Sequence, residues 1–480
     1  MAAATLPTTQ VGEFSSSRPG TSFALRCRMT CVSLRFDRGT LRLDADDLGG
    51  MDDVLWDERT ACWRAPAHRY QHLLARLRRQ AVALDDAIGR RVATSTGPWQ
   101  EPSLRSYQHD ALDAWRAFGG RGVVVLPTGA GKTRVAIAAL SRAKTSALLL
   151  CPTRALLGQW RRELQQWYGG AIGVVGDGES QLEPVTVMTF ASAYRRMDQL
   201  GDRFGVVVVD EVHHFGGQGQ SEALEMCAAP FRMGLTATAP RPGSSADQRL
   251  CSLVGPVVFE LGVRDLAGSH LAPFQVPRLF VHLAPDEEQA YARLQLPFEE
   301  LRRALLRVHP GSDYASIVRA ISRTPGGYDI LLNHHKAVNL ATFPRAKRKL
   351  VASLLHRHRA DKTLVFTAFA DHAYSIAIDN FVPVVTAEVK RAERDAILER
   401  YRDGRYRCVV SARVLNEGID VPDASVAIVV GGVLGSREFI QRIGRVLRPA
   451  PGKSAVVYEL VTAGTDDDKR SEQRRKSLVA

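Results

Sequence analysis

Apolar positions change their period several times along the chain, and each change marks an element. Val32, Leu34 and Phe36 alternate with polar residues, Asp37-Arg38-Gly39-Thr40 offers a turn, and Leu41 and Leu43 alternate again, which is the pattern of a β-hairpin. From Ala67 the spacing turns helical, with Tyr70, Leu73, Leu74 and Leu77 in one stripe and Arg69, Arg76, Arg78 and Arg79 mostly off it. The two patterns predict a small α+β domain over residues 23–100, ending in the linker-like Thr94-Ser-Thr-Gly-Pro-Trp-Gln-Glu-Pro-Ser103. Residues 101–264 then alternate continuous apolar runs with helical stretches. The runs are Gly122–Leu126, Ala147–Cys151, Val185–Met188, Val206–Val209 and Arg232–Thr236. Uninterrupted apolar strands separated by helices predict a parallel sheet covered on both faces. The same texture returns at Thr363–Phe366, Cys408–Ser411, Val426–Val430 and Ala455–Leu460, so a second α/β domain is expected over 265–465. Within it, about 285–345, lies a charged helical module that Pro297, Pro310 and Pro325-Gly-Gly are expected to interrupt. Residues 1–22 read as a polar, disordered leader, and 466–480 as a solvated, frayed basic tail.

Composition narrows the class. The 480 residues allow several cores, and 45% hydrophobic with 24% charged residues excludes a disordered or fibrous chain. The longest apolar run, Val426 to Gly435, is too short to span a bilayer, and no secretory start is visible, so a cytoplasmic protein is expected. The net charge of +13 favours a polyanionic partner. Only ten of the 64 basic residues are lysine; arginine suits bidentate phosphate contacts, but a GC-rich genome gives the same bias, and both explanations stand. The seven cysteines, Cys27, Cys31 and Cys62 among them, show no zinc-like spacing.

The chemistry is concentrated in three places. Leu126-Pro-Thr128-Gly129-Ala130-Gly131-Lys132-Thr133 follows a strand and precedes the apolar helix Val135–Leu140, the setting of a phosphate-binding loop. Gly129 and Gly131 let backbone N–H groups turn toward phosphate oxygens, Lys132 would reach the β/γ-phosphates of ATP, and the Thr133 hydroxyl would ligate Mg²⁺. The strict motif has glycine where this chain has Leu126. Next, the four-valine strand ends in Asp210-Glu211-Val212-His213, with Asp210 expected to hold Mg²⁺ and Glu211 to orient and deprotonate the attacking water. Third, Gln441-Arg-Ile-Gly-Arg445-Val-Leu-Arg448 puts Arg445 and Arg448 on one helix face, where they could neutralise charge developing on the γ-phosphate. These belong to the second α/β domain while Lys132 and Asp210 belong to the first. A nucleotide touched by both would draw the domains together and release them on hydrolysis.

With these residues in place the chain resembles the superfamily II helicases, and within them the XPB helicases of archaeal and bacterial type. The resemblance implies two RecA-like domains with a small damage-recognition-like N-terminal domain and a thumb-like insertion. It implies that Arg105 and Gln108, in Leu104–Gln108, read adenine, and that Gly418 and Asp420 face nucleotide. It implies nucleic-acid backbone contacts at Pro152, Thr153, Arg154, Thr189, Phe190 and Thr367, and coupling of hydrolysis to movement through His213, Thr236 and Thr238. The XPB assignment rests on Ser436–Pro449 with the basic Arg474-Arg-Lys476, on Leu34–Thr40 with Trp56-Asp57 and Trp63–Pro66, and on the module near 285–345. One departure matters: where the family has Arg-Glu-Asp, implicated in strand opening, this chain reads Arg241-Pro242-Gly243.

The expectation is therefore an ATP- and Mg²⁺-dependent DNA helicase or translocase, 3′-to-5′ by resemblance, acting in repair on single-stranded or forked DNA. It is expected to be a monomer, nucleoid-associated, with a nuclease as a candidate partner. A duplex translocase of a defence system and an ATP-switched DNA-binding adaptor are the rival readings. Backbone-tracking motifs do not read the sugar, so RNA stays open. The basic run Arg345, Lys347, Arg348, Lys349, Arg357 and Arg359 is weighed as a nucleic-acid surface against a solvated helix face, and the pair His334-His335 is expected to be structural.

Overall fold

The computed structural model describes residues 31–45, 48, 51, 53–80, 83–92, 97–216, 221–266, 273–412, 424–431 and 455–479. The leader 1–22 lies outside them, as do Gly418, Asp420, Gln441, Arg445 and Arg448.

Among the described residues three sheets organise the chain. The first has five strands in the order Leu55–Asp57, Cys62–Pro66, Thr40–Asp44, Val32–Asp37 and Leu84–Asp86. Its hairpin turns at Arg38 and Gly39, both at positive φ, which is the twist a tight turn between antiparallel strands requires. Helix Tyr70–Arg79 buries Tyr70, Leu73, Leu74 and Leu77 against this sheet, the stripe that the periodicity predicts. The second sheet has eight strands. In spatial order they are Val257–Glu260, Arg121–Val125, Phe231–Thr236, Val206–Asp210, Ala147–Cys151, Val185–Thr189, Ile172–Gly176 and Glu179–Gln181. All pairs are parallel except the last. Its central strands are buried at every position, as their uninterrupted valine and leucine runs require. A third, parallel sheet centres on Thr363–Thr367, flanked by Val426–Val429 and Cys408–Ala412.

The N-terminal sheet is packed on the second-sheet domain. Ala228 of that domain lies in the N-terminal core cluster. Arg91 also reaches the buried Asp202 at 2.6 Å, and a Cβ added to Gly201 would come within 2.8 Å of the Phe36 ring.

Two expectations are corrected here. Pro297 does not interrupt the helical module: helix Pro285–Val308 runs straight through it. The neighbouring Phe298 is buried and stacked on His334 at 3.7 Å, so packing outweighs the roughly 3 kcal/mol an internal proline costs. Likewise, the C-terminal segment is not frayed from its start. Helix Asp466–Val479 docks on the third-sheet domain because Asp467, almost fully buried, pairs with the buried Lys347 at 2.7 Å. That pair also removes Lys347 from any nucleic-acid surface. Arg345 is held by Asp286 and Glu287, and Arg348 by Asp379, so half of the basic run is neutralised internally. His334 is structural as expected, bonded through Nδ1 to Gln295 at 2.9 Å and through Nε2 to the Tyr314 hydroxyl at 3.3 Å.

Candidate nucleotide site and nucleic-acid edge

Strand Arg121–Val125 delivers Leu126–Gly131 to the carboxyl edge of the second sheet, and helix Lys132–Ala143 starts directly behind. Gly129 and Gly131 have φ of +88° and +83°, which only glycine adopts without strain. A Cβ at Gly131 would also collide with the Gln108 amide. The Lys132 ammonium lies across the loop and donates to the Leu126 carbonyl at 3.1 Å. Leu126, standing where glycine is usual, is fully buried and uses its backbone alone. Its N–H also donates to the Thr236 carbonyl at 3.0 Å, tying the loop to the end of strand Phe231–Thr236.

Gln108, predicted to read adenine, is buried and donates to the Ala130 carbonyl at 2.8 Å, while its own amide oxygen accepts the Arg105 N–H at 2.9 Å. The Tyr107 hydroxyl donates to the same Ala130 carbonyl at 2.8 Å. Sequence reasoning passed over Tyr107, although its place between Arg105 and Gln108 was the available signal.

Strand Val206–Asp210 ends at the acid pair, one strand beyond the neighbour of the loop's own strand. Asp210 accepts the Trp160 indole N–H on Oδ2 at 2.9 Å and the Glu211 N–H on Oδ1 at 3.0 Å. Burial and the adjacent Glu211 charge push its carboxyl up to about 6, against the opposing pull of Lys132. Burial also raises the Glu211 carboxyl, but the His213 hydrogen bond and the charges of Lys132, His213 and His214 outweigh it and hold it below the usual glutamate value. Glu211 has φ +51°, a strained conformation for a non-glycine residue and one that concentrates at functional sites. From Glu211 a polar chain runs on: His213 Nδ1 lies 3.3 Å from its carboxylate and 3.2 Å from the Thr236 hydroxyl, which in turn donates to the Thr238 carbonyl at 3.1 Å. Trp160 was missed because nothing in its own neighbourhood marks it.

Two buried carboxylates beside a single-charged lysine make a site short of positive charge. Asp210 with the Thr133 hydroxyl suits Mg²⁺, which takes one or two protein oxygens and fills the rest of its octahedron with phosphates and water. Among the described residues no cluster of three His, Cys, Asp or Glu side chains is arranged for a metal.

The predicted nucleic-acid residues divide. Arg154 is exposed at the start of helix Arg154–Trp167, where Thr153 supplies the cap by accepting the Leu156 N–H at 3.3 Å. Pro152 precedes it, partly exposed. Thr189 is buried and caps helix Phe190–Leu200. The Phe190 ring is buried edge-on against Phe215 at 4.5 Å, packed beneath this edge. Thr367 is also fully buried, donating to the Phe369 carbonyl at 2.9 Å.

A phosphate loop, an acid pair and two parallel sheets in one chain define a helicase-type motor protein. Residues 101–241 match the family described as type III restriction enzyme, res subunit, and 346–450 the helicase conserved C-terminal domain. Residues 34–88 match the xeroderma pigmentosum group B helicase damage recognition domain. The chain is 34% identical to the "DNA 3'-5' translocase XPB2" of Sulfurisphaera tokodaii over 93% of its own length and 100% of that protein. It is 31% identical to the "DNA 3'-5' helicase XPB" of Mycobacterium tuberculosis over 79% of its own length, spanning 64% of that longer protein. The Hef helicase domain of Pyrococcus furiosus shares the fold, with a TM-score of 0.53 at 17% identity over 78% of this chain and 98% of that one. The chain belongs to the XPB family of superfamily II helicases.

Proposed function

We propose that this protein is a DNA motor that couples ATP hydrolysis to 3′-to-5′ movement, in the manner of its XPB relatives, with a role in DNA repair. The observation that carries this reading is the contact of His213 Nδ1 with both the Glu211 carboxylate, at 3.3 Å, and the Thr236 hydroxyl, at 3.2 Å, while the Thr236 carbonyl also holds the Leu126 N–H of the phosphate loop. A change at the loop and a change at the acid pair therefore meet at one residue of the coupling segment.

In this reading Gly129, Ala130 and Gly131 cradle phosphates with backbone N–H groups, assisted by Thr128. Lys132, released from the Leu126 carbonyl, balances the β/γ charge. Arg105 and Gln108 hold the adenine, and Thr133 with Asp210 hold Mg²⁺, which when bound neutralises phosphate charge. Glu211, kept ionised at neutral pH, is the proton acceptor for the attacking water. Gln441, Arg445, Arg448, Gly418 and Asp420 complete the site from the second motor domain by family resemblance. Pro152, Thr153, Arg154 and Thr189 line the path of the nucleic-acid backbone. A monomer working in the cytoplasm at the nucleoid, beside a nuclease that makes the cut, completes the proposal.

A duplex translocase that does not separate strands is favoured by one observation. Arg241-Pro242-Gly243 forms a turn, Gly243 at φ +74° with its N–H on the Asp247 carboxylate, and puts no acidic pair where the family's strand-opening triplet stands. ATP turnover measured with no nucleic acid, single-stranded DNA, duplex DNA and RNA, together with unwinding of a forked duplex, separates the readings. Glu211→Gln is expected to abolish turnover. Single-strand stimulation with fork opening supports the helicase, duplex stimulation alone the translocase, and indifference to every nucleic acid refutes both motors and leaves the adaptor.

A further inference from the structure

Three neighbouring strands of the second sheet end side by side at its carboxyl edge. Ala147–Cys151 runs on into Pro152-Thr153-Arg154, Val185–Thr189 into Phe190, and Ile172–Gly176 into Asp177. Asp177 turns the chain at φ +53°, and its preceding glycine packs so closely on Thr189 that an added Cβ would sit 3.0 Å from that side chain. The Asp177 carboxylate takes Arg154 at 3.3 Å from its own domain and Arg391 at 2.8 Å from the other motor domain. Arg391 opens helix Arg391–Arg402, which follows the carboxyl end of strand Val384–Val385 in the third sheet. One anion is thus held between two guanidinium groups that belong to facing carboxyl edges of the two sheets.

We propose that Arg154 and Arg391 form a clamp for a single backbone phosphate spanning the two motor domains, and that Asp177 is the internal placeholder which that phosphate displaces. The inference rests on the DNA-motor reading and extends it to Arg391, a residue that neither motif nor family resemblance singles out. A phosphodiester presents the same pair of oxygens to a guanidinium fork as a carboxylate does. The two arginine side chains remain 72% and 59% exposed, so an incoming strand reaches them without unfolding anything. Exposed ion pairs are weak, and this one cannot lock the domains by itself; it is an exchangeable contact. Arg391 and Arg154 hold the Asp177 carboxyl below the usual aspartate value, so at working pH it is an anion competing for the same donors. Asp395, 3.9 Å away on the same helix, is the other carboxylate near Arg391 and keeps its charge oriented when Asp177 lets go.

The exchange makes strand binding and the Asp177 bridge mutually exclusive. Full-length protein titrated into fluorescein-labelled oligodeoxythymidine, followed by anisotropy over a potassium chloride series without nucleotide, tests it. Arg391→Gln is expected to weaken binding about fivefold at low salt and to reduce the slope of log affinity against log salt by about 0.7, the loss of one single-strand phosphate contact. Asp177→Asn is expected to tighten binding about threefold by removing the competitor. Arg391→Lys, which keeps the charge and loses the fork, should fall between wild type and Arg391→Gln. Wild-type affinity and salt slope in Arg391→Gln, or weaker binding in Asp177→Asn, overturns the clamp and leaves the motor reading intact. A wild-type chain that binds no DNA overturns the motor reading and the clamp with it.

Discussion

At the scale of single residues, Asp210 shows how a buried carboxylate is kept serviceable. Both of its oxygens accept hydrogen bonds, from Trp160 at 2.9 Å and from the Glu211 backbone at 3.0 Å, and these oppose the burial and the neighbouring charge that raise it to about 6. Trp160→Phe keeps the ring in its pocket and removes the donor. Turnover at limiting magnesium should fall about tenfold, equivalent to about 1.4 kcal/mol, and recover when magnesium is raised. Turnover equal to wild type at every magnesium concentration would show that the indole only fills space. The placement of the glycine loop and of the acid pair was legible in the sequence because their pattern is local: glycines at fixed offsets, a carboxylate at a strand end. Trp160 and Arg391 were not, since their partners lie 50 and 214 residues away and nothing in their own surroundings points there.

At the scale of elements, helix Asp466–Val479 is the instructive case. Its three leading aspartates read as solvated sequence, yet Asp467 is drawn under the third-sheet domain by an amine 120 residues earlier. Lys347 Nζ also donates to the Val430 carbonyl at 2.8 Å and the Thr342 carbonyl at 3.2 Å, so the ammonium is fully solvated by protein. Lys347→Met strands the Asp467 carboxylate and should lower stability by about 3–5 kcal/mol in urea unfolding, whereas adding Asp467→Leu should restore most of the loss. A single variant as stable as wild type would mean the pair is not buried in solution. Leu350, Val351, Leu354 and Leu355 repeat at helical spacing in Arg345–Arg357, and of these Val351 and Leu354 are buried while Leu350 and Leu355 are half-buried. Periodicity cannot say which of the intervening cations a later helix will cover. Pro297 teaches the complementary lesson: a local breaker rule yields when the next residue, Phe298, is anchored on His334.

At the scale of the whole molecule, three buried histidines set an acid limit. Burial lowers His68 of the N-terminal domain to about 3, His334 of the helical module to about 4 and His372 of the third-sheet domain to about 4. Each folded value lies below the ordinary 6.5, so the unfolded chain binds more protons between the two. From these three groups alone, stability should be full above pH 6.5 and decline as pH falls toward 4, by about 2 kcal/mol per histidine at pH 5. Urea midpoints measured from pH 7.5 down to pH 5 should fall, and His372→Gln should show a shallower decline than wild type. A flat profile would mean that these side chains are hydrated in the folded state. The three-sheet plan itself was legible, because strand runs such as Val206–Val209 and Thr363–Phe366 leave few alternatives. How the bodies are joined was not, because joints such as Arg91 on Asp202 carry no periodicity.

That last joint has a mechanical consequence. Since the N-terminal core takes in Ala228 of the first motor half and Arg91 pairs with that half's Asp202, the N-terminal sheet is expected to move with that half through the proposed cycle. Its outer edge, where Trp56 meets Trp63 edge-on at 5.3 Å, then acts as the tip of a pointer. A donor dye on that tip and an acceptor on the solvent face of helix Arg391–Arg402 would turn the ATP cycle into a change of distance, with the pointer's length amplifying a small hinge rotation between the motor halves.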